Sequence, residues 1–179
     1  MSGIAGIIHF KGEPPSRDQV QQLSTGVAHR GPDDKNIFYA APAGLAQRVF
    51  AARNDRPKPP FIDDRFVILI DGTADRDKTL ERWATKGTAS LNSQRHGFAM
   101  AVWDQRERVL WLARDPTGTR PLFYSSRGSK FAFASSLRAL LGLPWVSREI
   151  ASDHLTEYLS FRYTHAPRTL LRDVQAVPP

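Results

Sequence analysis

A nucleophile could lie at the second residue of this chain, in the opening segment Met1-Ser-Gly-Ile-Ala-Gly-Ile-Ile-His-Phe10. Removal of an initiator methionine ahead of a small residue would leave Ser2 with a free α-amine. A hydroxyl beside its own amine combines a nucleophile with a base, and α-amines titrate at about 7.7–8.0. Many proteins begin in the same way without using the serine, so these ten residues do not establish catalysis.

Composition narrows the class of protein. A chain of 179 residues with 41% hydrophobic and 24% charged residues is typical of one globular domain. It contains no cysteine, which excludes disulfides and thiolate metal sites. The sequence shows neither a secretory signal nor an apolar run of about 18 residues, and we predict a cytoplasmic protein without membrane contact. The net charge is +7, but the basic residues are scattered, so no nucleic-acid partner is predicted.

Apolar, β-branched runs alternate with turn residues along the chain. They predict strands at 4–10, 37–40, 44–51, 66–70, 98–103, 109–113, 122–125 and 130–134. Periodic segments bounded by capping residues predict helices at 17–28, 75–83, 135–141 and 153–161. The proline-rich segment 53–60 is predicted to be a surface loop. Because the strands come as hairpins, we expect antiparallel sheets covered by helices, an α+β fold.

Five short motifs occur in one order along nearly the whole chain. They are Gly3-Ile-Ala-Gly-Ile7, His29-Arg-Gly-Pro-Asp33, Gly97-Phe-Ala-Met-Ala-Val-Trp-Asp104, Arg114-Asp-Pro-Thr-Gly-Thr-Arg-Pro-Leu122 and Phe131-Ala-Phe-Ala-Ser135. Together they resemble the class II glutamine amidotransferase domain of the asparagine synthetase family. The resemblance implies an N-terminal-nucleophile fold, a four-layer αββα sandwich of two antiparallel sheets. It also implies a nucleophile directly after Met1, with ammonia passed to a second domain.

That second domain uses ATP to adenylate a carboxylate and carries a Ser-Gly-Gly-x-Asp-Ser loop, which this sequence lacks. The resemblance therefore divides the chain into a glutaminase-like domain at 1–165 and a linker at 166–179 toward an absent synthetase domain. ATP and magnesium are expected only in that domain, and no cofactor in this chain. The implied partners are the synthetase domain, fused or separate, and a peptide or small-molecule substrate that this domain would hold.

Two departures from the family pattern concern the reacting atoms. The family nucleophile is Cys, whereas this chain has Ser2, whose hydroxyl is essentially never ionised at neutral pH. The family reads Asn-Gly-Glu where this chain reads Asp71-Gly72-Thr73. In the family, the Asn side chain and the Gly N–H donate to the developing oxyanion. An ionised Asp71 is an acceptor only and would repel that charge, leaving Gly72 as the single donor.

Two further departures concern glutamine binding. The family aspartate that holds the substrate amine has no counterpart, because Lys86–His96 is short and has no carboxylate. The family arginine that binds the substrate carboxylate is matched only by Arg48, one position early. Arg48 could bind a carboxylate with both arms of its guanidinium, or it could be an ordinary surface arginine beside a strand.

Other polar residues are predicted to be structural. His29, Arg30 and Asp33 are expected to brace a turn near the site, and Arg114, Asp115 and Arg120 to form a buried ion-pair framework. We assign no role to His9 and His96, and we predict no metal site.

The leading interpretation is a degenerate glutaminase-like domain, the N-terminal scaffold of an ATP-dependent amide-forming ligase. Relatives such as β-lactam synthetases and lasso-peptide cyclases join a carboxylate to an amine and need no ammonia. One alternative is an active amidohydrolase that uses Ser2 to supply ammonia for asparagine-type synthesis. Another is an engineered Cys-to-Ser variant, against which Asp71 argues. The sequence alone does not establish whether this domain is itself an enzyme.

Overall fold

A computed structural model describes residues 2–50, 60–72, 76–93 and 96–179. The described residues form ten strands and four α-helices. The strands are β1 (Gly3–His9), β2 (Asp34–Ala40), β3 (Ala43–Val49), β4 (Phe61–Ile62), β5 (Phe66–Gly72), β6 (Phe98–Asp104), β7 (Val109–Arg114), β8 (Phe123–Arg127), β9 (Lys130–Ala134) and β10 (Gln175–Ala176). The helices are α1 (Arg17–Gly26), α2 (Arg76–Lys86), α3 (Leu137–Leu140) and α4 (Ser152–Phe161).

The strands form two sheets in which every pairing is antiparallel. One sheet has six strands in the order β10-β8-β9-β1-β3-β2, and the other has four in the order β4-β5-β6-β7. Strand β1 lies between β9 and β3, so its backbone is paired on both sides. The segment that begins at Ser2 is therefore fixed near the middle of the larger sheet.

Side chains alternate across each strand and so build three apolar layers. Ile4 and Ile8 of β1 pack between the two sheets with Val67 and Leu69 of β5. The intervening β1 side chains pack instead against the helices α1 and α3. On the far side, Trp83 of α2 covers the outer face of the smaller sheet. The order is helix, sheet, sheet, helix, which confirms the predicted α+β sandwich.

Helix α1 ends earlier than its apolar spacing predicts. Its N-terminus is a capping box in which Ser16 and Gln19 bond to each other's backbone N–H groups. The α-helix stops at Gly26, and a 3₁₀ turn follows at Ala28–Arg30. A side chain at position 26 would lie within 2.5 Å of the Ala139 Cα, so the glycine lets α3 pack closely.

Two short strands are not predicted by the sequence pattern. Strands β4 and β10 have only two residues each, too few for an alternating pattern to be recognised. Residues 51–59, most of the predicted proline-rich loop, lie outside the described residues. Within the described ranges no helix has both the length and the apolar character needed to cross a membrane.

The C-terminal segment 166–179, expected to be a linker, packs onto the sandwich. Strand β10 pairs with β8, and the Val177 N–H donates to the carbonyl of Leu122 at 2.9 Å. Val174 is buried against α3, and Val177 is buried between the sheets. These residues thus form an edge of the larger sheet; the domain boundary at 165 stays a prediction.

The expected ion-pair framework of Arg114, Asp115 and Arg120 is replaced by hydrogen bonds. Within the described chain, no ion pair joins these three side chains. The Arg114 guanidinium donates to the backbone carbonyls of Arg120, Val177 and Gly118. The buried Asp115 carboxylate accepts from the Phe98 N–H at 3.1 Å and from both threonine hydroxyls at positions 117 and 119. The Arg114 and Asp115 side chains bond to backbone groups and threonine hydroxyls, and the sequence motif alone does not reveal these partners.

Replacement of Asp115 by asparagine is expected to destabilise the fold and to flatten its dependence on acid pH. Burial raises the pKa of Asp115, but the hydrogen bonds outweigh burial and hold the pKa well below its ordinary value of 3.8. A carboxyl with a lowered folded pKa stabilises fully above its ordinary pKa and loses that contribution as pH falls. Urea unfolding between pH 2 and 7 should show Asp115→Asn costing about 2–3 kcal/mol at pH 7 and less in acid.

The exposed Asp64 provides a matched control, since Asp64→Asn changes the same charge without these bonds. An equal loss of stability in both variants would contradict the assignment.

Candidate active site

Three residues that are far apart in sequence meet at one end of the space between the sheets. The Ser2 nitrogen donates to Oδ1 of Asp71 at 2.9 Å. The Arg30 Nη2 donates to Oδ2 of the same carboxylate at 2.7 Å, and its Nε donates to the Ser2 carbonyl at 3.2 Å. Arg30 thus contacts both other members of the group, which we call the Ser2–Arg30–Asp71 cluster.

The local fold explains why these side chains converge. Ser2 directly precedes β1, and Asp71 lies near the end of β5 on the side that carries Val67 and Leu69 toward the other sheet. Arg30 ends the 3₁₀ turn that follows α1. Gly31 lets that turn approach β3, because a Cβ there would lie 2.3 Å from the carbonyl carbon of Arg48. A larger residue at 31 would displace the turn that carries Arg30.

The cluster is almost closed to water. Asp71 has no exposed side-chain surface, and the Arg30 side chain is only 14% exposed. An isolated buried carboxylate is costly, and an adjacent guanidinium with direct hydrogen bonds offsets that cost. Asp71 is therefore a paired carboxylate with both oxygens engaged, and Arg30 does more than brace a turn.

Gly72 offers a backbone donor next to Asp71. Its cross-strand partner is Phe98, whose N–H and carbonyl are both bonded to Asp115 on the far side of β6. In an antiparallel pair, the N–H and carbonyl of one residue point to the same side, so Gly72 and Phe98 form a non-hydrogen-bonded pair. The Gly72 N–H consequently points away from β6, where a ligand could accept from it.

Gln47 is a buried polar residue that the sequence analysis did not single out. It lies on β3, and its side-chain amide donates to the carbonyl of Ile70 at 3.0 Å, one residue before Asp71. This bond ties the larger sheet to the smaller one beside the cluster. The available signal was a single amide side chain in a strand whose other residues, apart from Arg48, are apolar or glycine.

Arg48 lies on the other face of β3. Its Nε donates to the backbone carbonyl of Ser24 at 3.2 Å and to the Ser24 hydroxyl at 3.1 Å, so it is held by α1. Strand β3 pairs in unbroken register with β1 and β2, and no bulge shifts Arg48 toward the cluster. The structure does not bring Arg48 together with Ser2, Asp71 and Gly72, and its binding role stays a prediction.

The chemistry available to the cluster follows from its donors and acceptors. The side chain at position 71 presents oxygens where the resemblance implies a donor to an oxyanion, and those oxygens are occupied by the Ser2 nitrogen and Arg30. Among the described residues no group of three or more histidine, aspartate and glutamate side chains could hold a metal ion. The arrangement is a neutralised ion pair around the serine nitrogen.

Comparison with known proteins identifies the family. A family model described as a glutamine amidotransferase domain matches residues 69–179, more than half of the chain. This chain belongs to the glutamine amidotransferase domain family. The matched range includes Asp71, Gly72 and the packed C-terminal segment, whereas Ser2 and Arg30 precede it.

Curated relatives of this amidotransferase domain are asparagine synthetases. The chain is 24% identical over its whole length to the glutamine-hydrolysing asparagine synthetase 1 of Bacillus subtilis (strain 168). Over 87% of its length it is 29% identical to a putative asparagine synthetase of Mycobacterium bovis. It covers 32% and 30% of those two proteins, so it spans about a third of the relatives that it matches.

Solved structures support the fold. A glutamine phosphoribosylpyrophosphate amidotransferase from B. subtilis superposes with a TM-score of 0.59 over 77% of this chain and 42% of its own, at 15% identity. An allosteric regulatory enzyme of purine biosynthesis superposes with a TM-score of 0.54 over 78% of this chain and 43% of its own, at 14% identity. These likenesses establish an N-terminal-nucleophile amidotransferase fold for the domain.

Proposed function

We propose that this amidotransferase domain does not hydrolyse glutamine and serves as the scaffold, or the substrate-holding domain, of an ATP-dependent amide-forming ligase related to asparagine synthetases. The observation that carries the proposal is the carboxylate of Asp71 bonded to the Ser2 nitrogen. Amide cleavage by an N-terminal nucleophile needs a nitrogen that accepts a proton and donors that bind an oxyanion. In the cluster, the Ser2 nitrogen does not provide that proton acceptor, and the Asp71 side chain does not provide an oxyanion donor.

The Ser2 nitrogen cannot serve as the base in either of its two chemical states. As a peptide N–H, with Met1 retained, the nitrogen has no basic lone pair. As a free amine, it would be held as an ammonium ion by the carboxylate 2.9 Å away, and an ammonium ion cannot accept the hydroxyl proton. In either state, the base that a weak hydroxyl nucleophile depends on is unavailable.

One observation favours the alternative, an active amidohydrolase that uses Ser2. The Gly72 N–H points away from β6 and could bind an oxyanion by itself. The loss of one of two oxyanion donors reduces rates about 10²–10³-fold without abolishing them. This alternative therefore requires measurable glutamine hydrolysis that depends on Ser2.

A glutaminase assay separates the two functions. We expect ammonia release from glutamine to stay at the buffer rate for the unmodified domain and to be unchanged in Ser2→Ala. When the domain is assayed together with its synthetase part, ATP-dependent amide formation from a carboxylate and an amine should need no glutamine and should tolerate Ser2→Ala. Glutamine turnover above the buffer rate that is lost in Ser2→Ala would establish the active alternative.

A further inference from the structure

Helix α4 differs from the other helices in having no buried side chain. Large apolar residues on it are instead exposed, including Leu155, Tyr158 and Leu159, which follow i, i+3, i+4 spacing and share one face. Counting the described chain, six of the eleven exposed large hydrophobic side chains lie between Ile150 and Tyr163. We call this surface the α4 face.

Among the described residues, α4 is joined to the segment that follows it by polar contacts of His154 and Glu157 and by aromatic contacts of Phe161 with Tyr163 and His165. His154 Nδ1 lies 2.7 Å from the carbonyl of Thr169, and Glu157 contacts His165 and lies 3.6 Å from Arg168. All of these partners belong to the segment that leads into β10. Helices of ten residues are marginal in water unless an apolar face packs against something, and the packing partner of α4 is not among the described residues.

We propose that the α4 face docks on the synthetase part that accompanies this domain, fused or separate. The chain covers 32% and 30% of the lengths of the two asparagine synthetases compared above. A scaffold must bind the remaining two thirds through some surface. Helices α1 and α3 already cover the outer face of the larger sheet, and α2 covers that of the smaller sheet. Helix α4 instead carries exposed apolar side chains that lie close together.

The inference uses the proposed function only for the identity of the partner. It does not require the glutaminase to be inactive, because an active ammonia-supplying domain would also have to dock on its synthetase. The test of docking uses no glutamine, so a failure of docking and a failure of the proposed function are distinguishable.

Cysteine labelling tests the α4 face directly, because the chain has no cysteine of its own. Leu159→Cys places a thiol on the face at a position that is 66% exposed. Ile37→Cys is the matched control, on β2 at the opposite edge of the larger sheet, at a position that is 41% exposed. Labelling by a maleimide is located by peptide mass spectrometry, in the isolated domain and in the protein or complex that contains the synthetase part.

We expect both thiols to be labelled at similar rates in the isolated domain. With the synthetase part present, labelling at 159 should slow at least about tenfold, and labelling at 37 should stay unchanged. Leu155→Glu should weaken binding of a separate synthetase part, or restore labelling at 159 in a fused one, while Ile37→Glu should do neither. Unchanged labelling at 159 would overturn the proposal. Protection in the isolated domain that grows with its concentration would also overturn it, because a second copy would then cover the face.

Discussion

The variant Ser2→Cys/Asp71→Asn is expected to hydrolyse glutamine about 10²–10³-fold faster than Ser2→Cys alone. Asparagine at position 71 would supply a side-chain N–H beside the Gly72 N–H, so that two donors face a developing oxyanion. The backbone nitrogen of residue 2 would also lose its carboxylate partner, because in the unmodified domain the Ser2 nitrogen donates to Asp71 at 2.9 Å. Ammonia release at saturating glutamine measures the change.

A second readout separates the chemistry from glutamine binding, because residues that hold glutamine in the family have no clear match here. The thiol introduced by Ser2→Cys would be the only thiol of the chain, and iodoacetamide alkylation reports how much of it is thiolate. Loss of the neighbouring negative charge, with Arg30 left in place, should speed alkylation at pH 7 about tenfold or more.

The matched control for the double variant is Ser2→Ala/Asp71→Asn, which carries the donor without a nucleophile and should release no ammonia. An increase in alkylation without glutaminase activity would mean that the site fails at substrate binding. Equal alkylation rates in Ser2→Cys and in Ser2→Cys/Asp71→Asn would contradict the assigned effect of the carboxylate.

Removal of the positive charge at position 30 is expected to cost about 3–5 kcal/mol of unfolding free energy. Arg30→Met would leave the Asp71 carboxylate, which has no exposed surface, with the Ser2 nitrogen as its one remaining partner among the described residues. An uncompensated buried charge is far more costly than the ion pair is favourable. Domains are typically stable by about 5–15 kcal/mol, so this variant should be close to unfolding at 37 °C.

The double variant Arg30→Met/Asp71→Leu tests the cause. It replaces both charges with apolar groups, and most of the lost stability should return, which a double-mutant cycle measured by urea unfolding would show. Arg48→Met is a matched single control, because among the described residues the Arg48 side chain bonds to the neutral Ser24, and its loss should cost about 1 kcal/mol. An Arg30→Met cost as small as the Arg48→Met cost would contradict the ion-pair assignment.

Local patterns in the sequence predicted most of the elements correctly. Strands β5 and β6 were predictable because continuous apolar runs of that length are typical of strands buried on both faces. Strand β10 was not, because two residues carry no periodicity and the pairing with β8 depends on where the rest of the chain places that edge. For the same reason the C-terminal segment was predicted to be a linker although it packs onto the sheet.

Predicting the chemistry at the site requires both the sequence and the tertiary structure. That position 71 holds an aspartate, and position 2 a serine, could be read directly and predicted a site without the usual donors. The partner of the aspartate could not be predicted, because Arg30 lies 41 residues away and the His29-Arg-Gly-Pro-Asp33 motif indicates only a turn. Residues this distant meet only when β1, β5 and the turn after α1 are assembled.

Residue types and short-range periodicity were sufficient to predict the family resemblance, the α+β sandwich and the replacement of the expected cysteine and asparagine by Ser2 and Asp71. The pairing of Asp71 with Arg30 and the Ser2 nitrogen, and the contact of Arg48 with helix α1, depend on the folded arrangement. A strand directs successive side chains to opposite faces, and the charges that each face meets depend on how the two sheets stack.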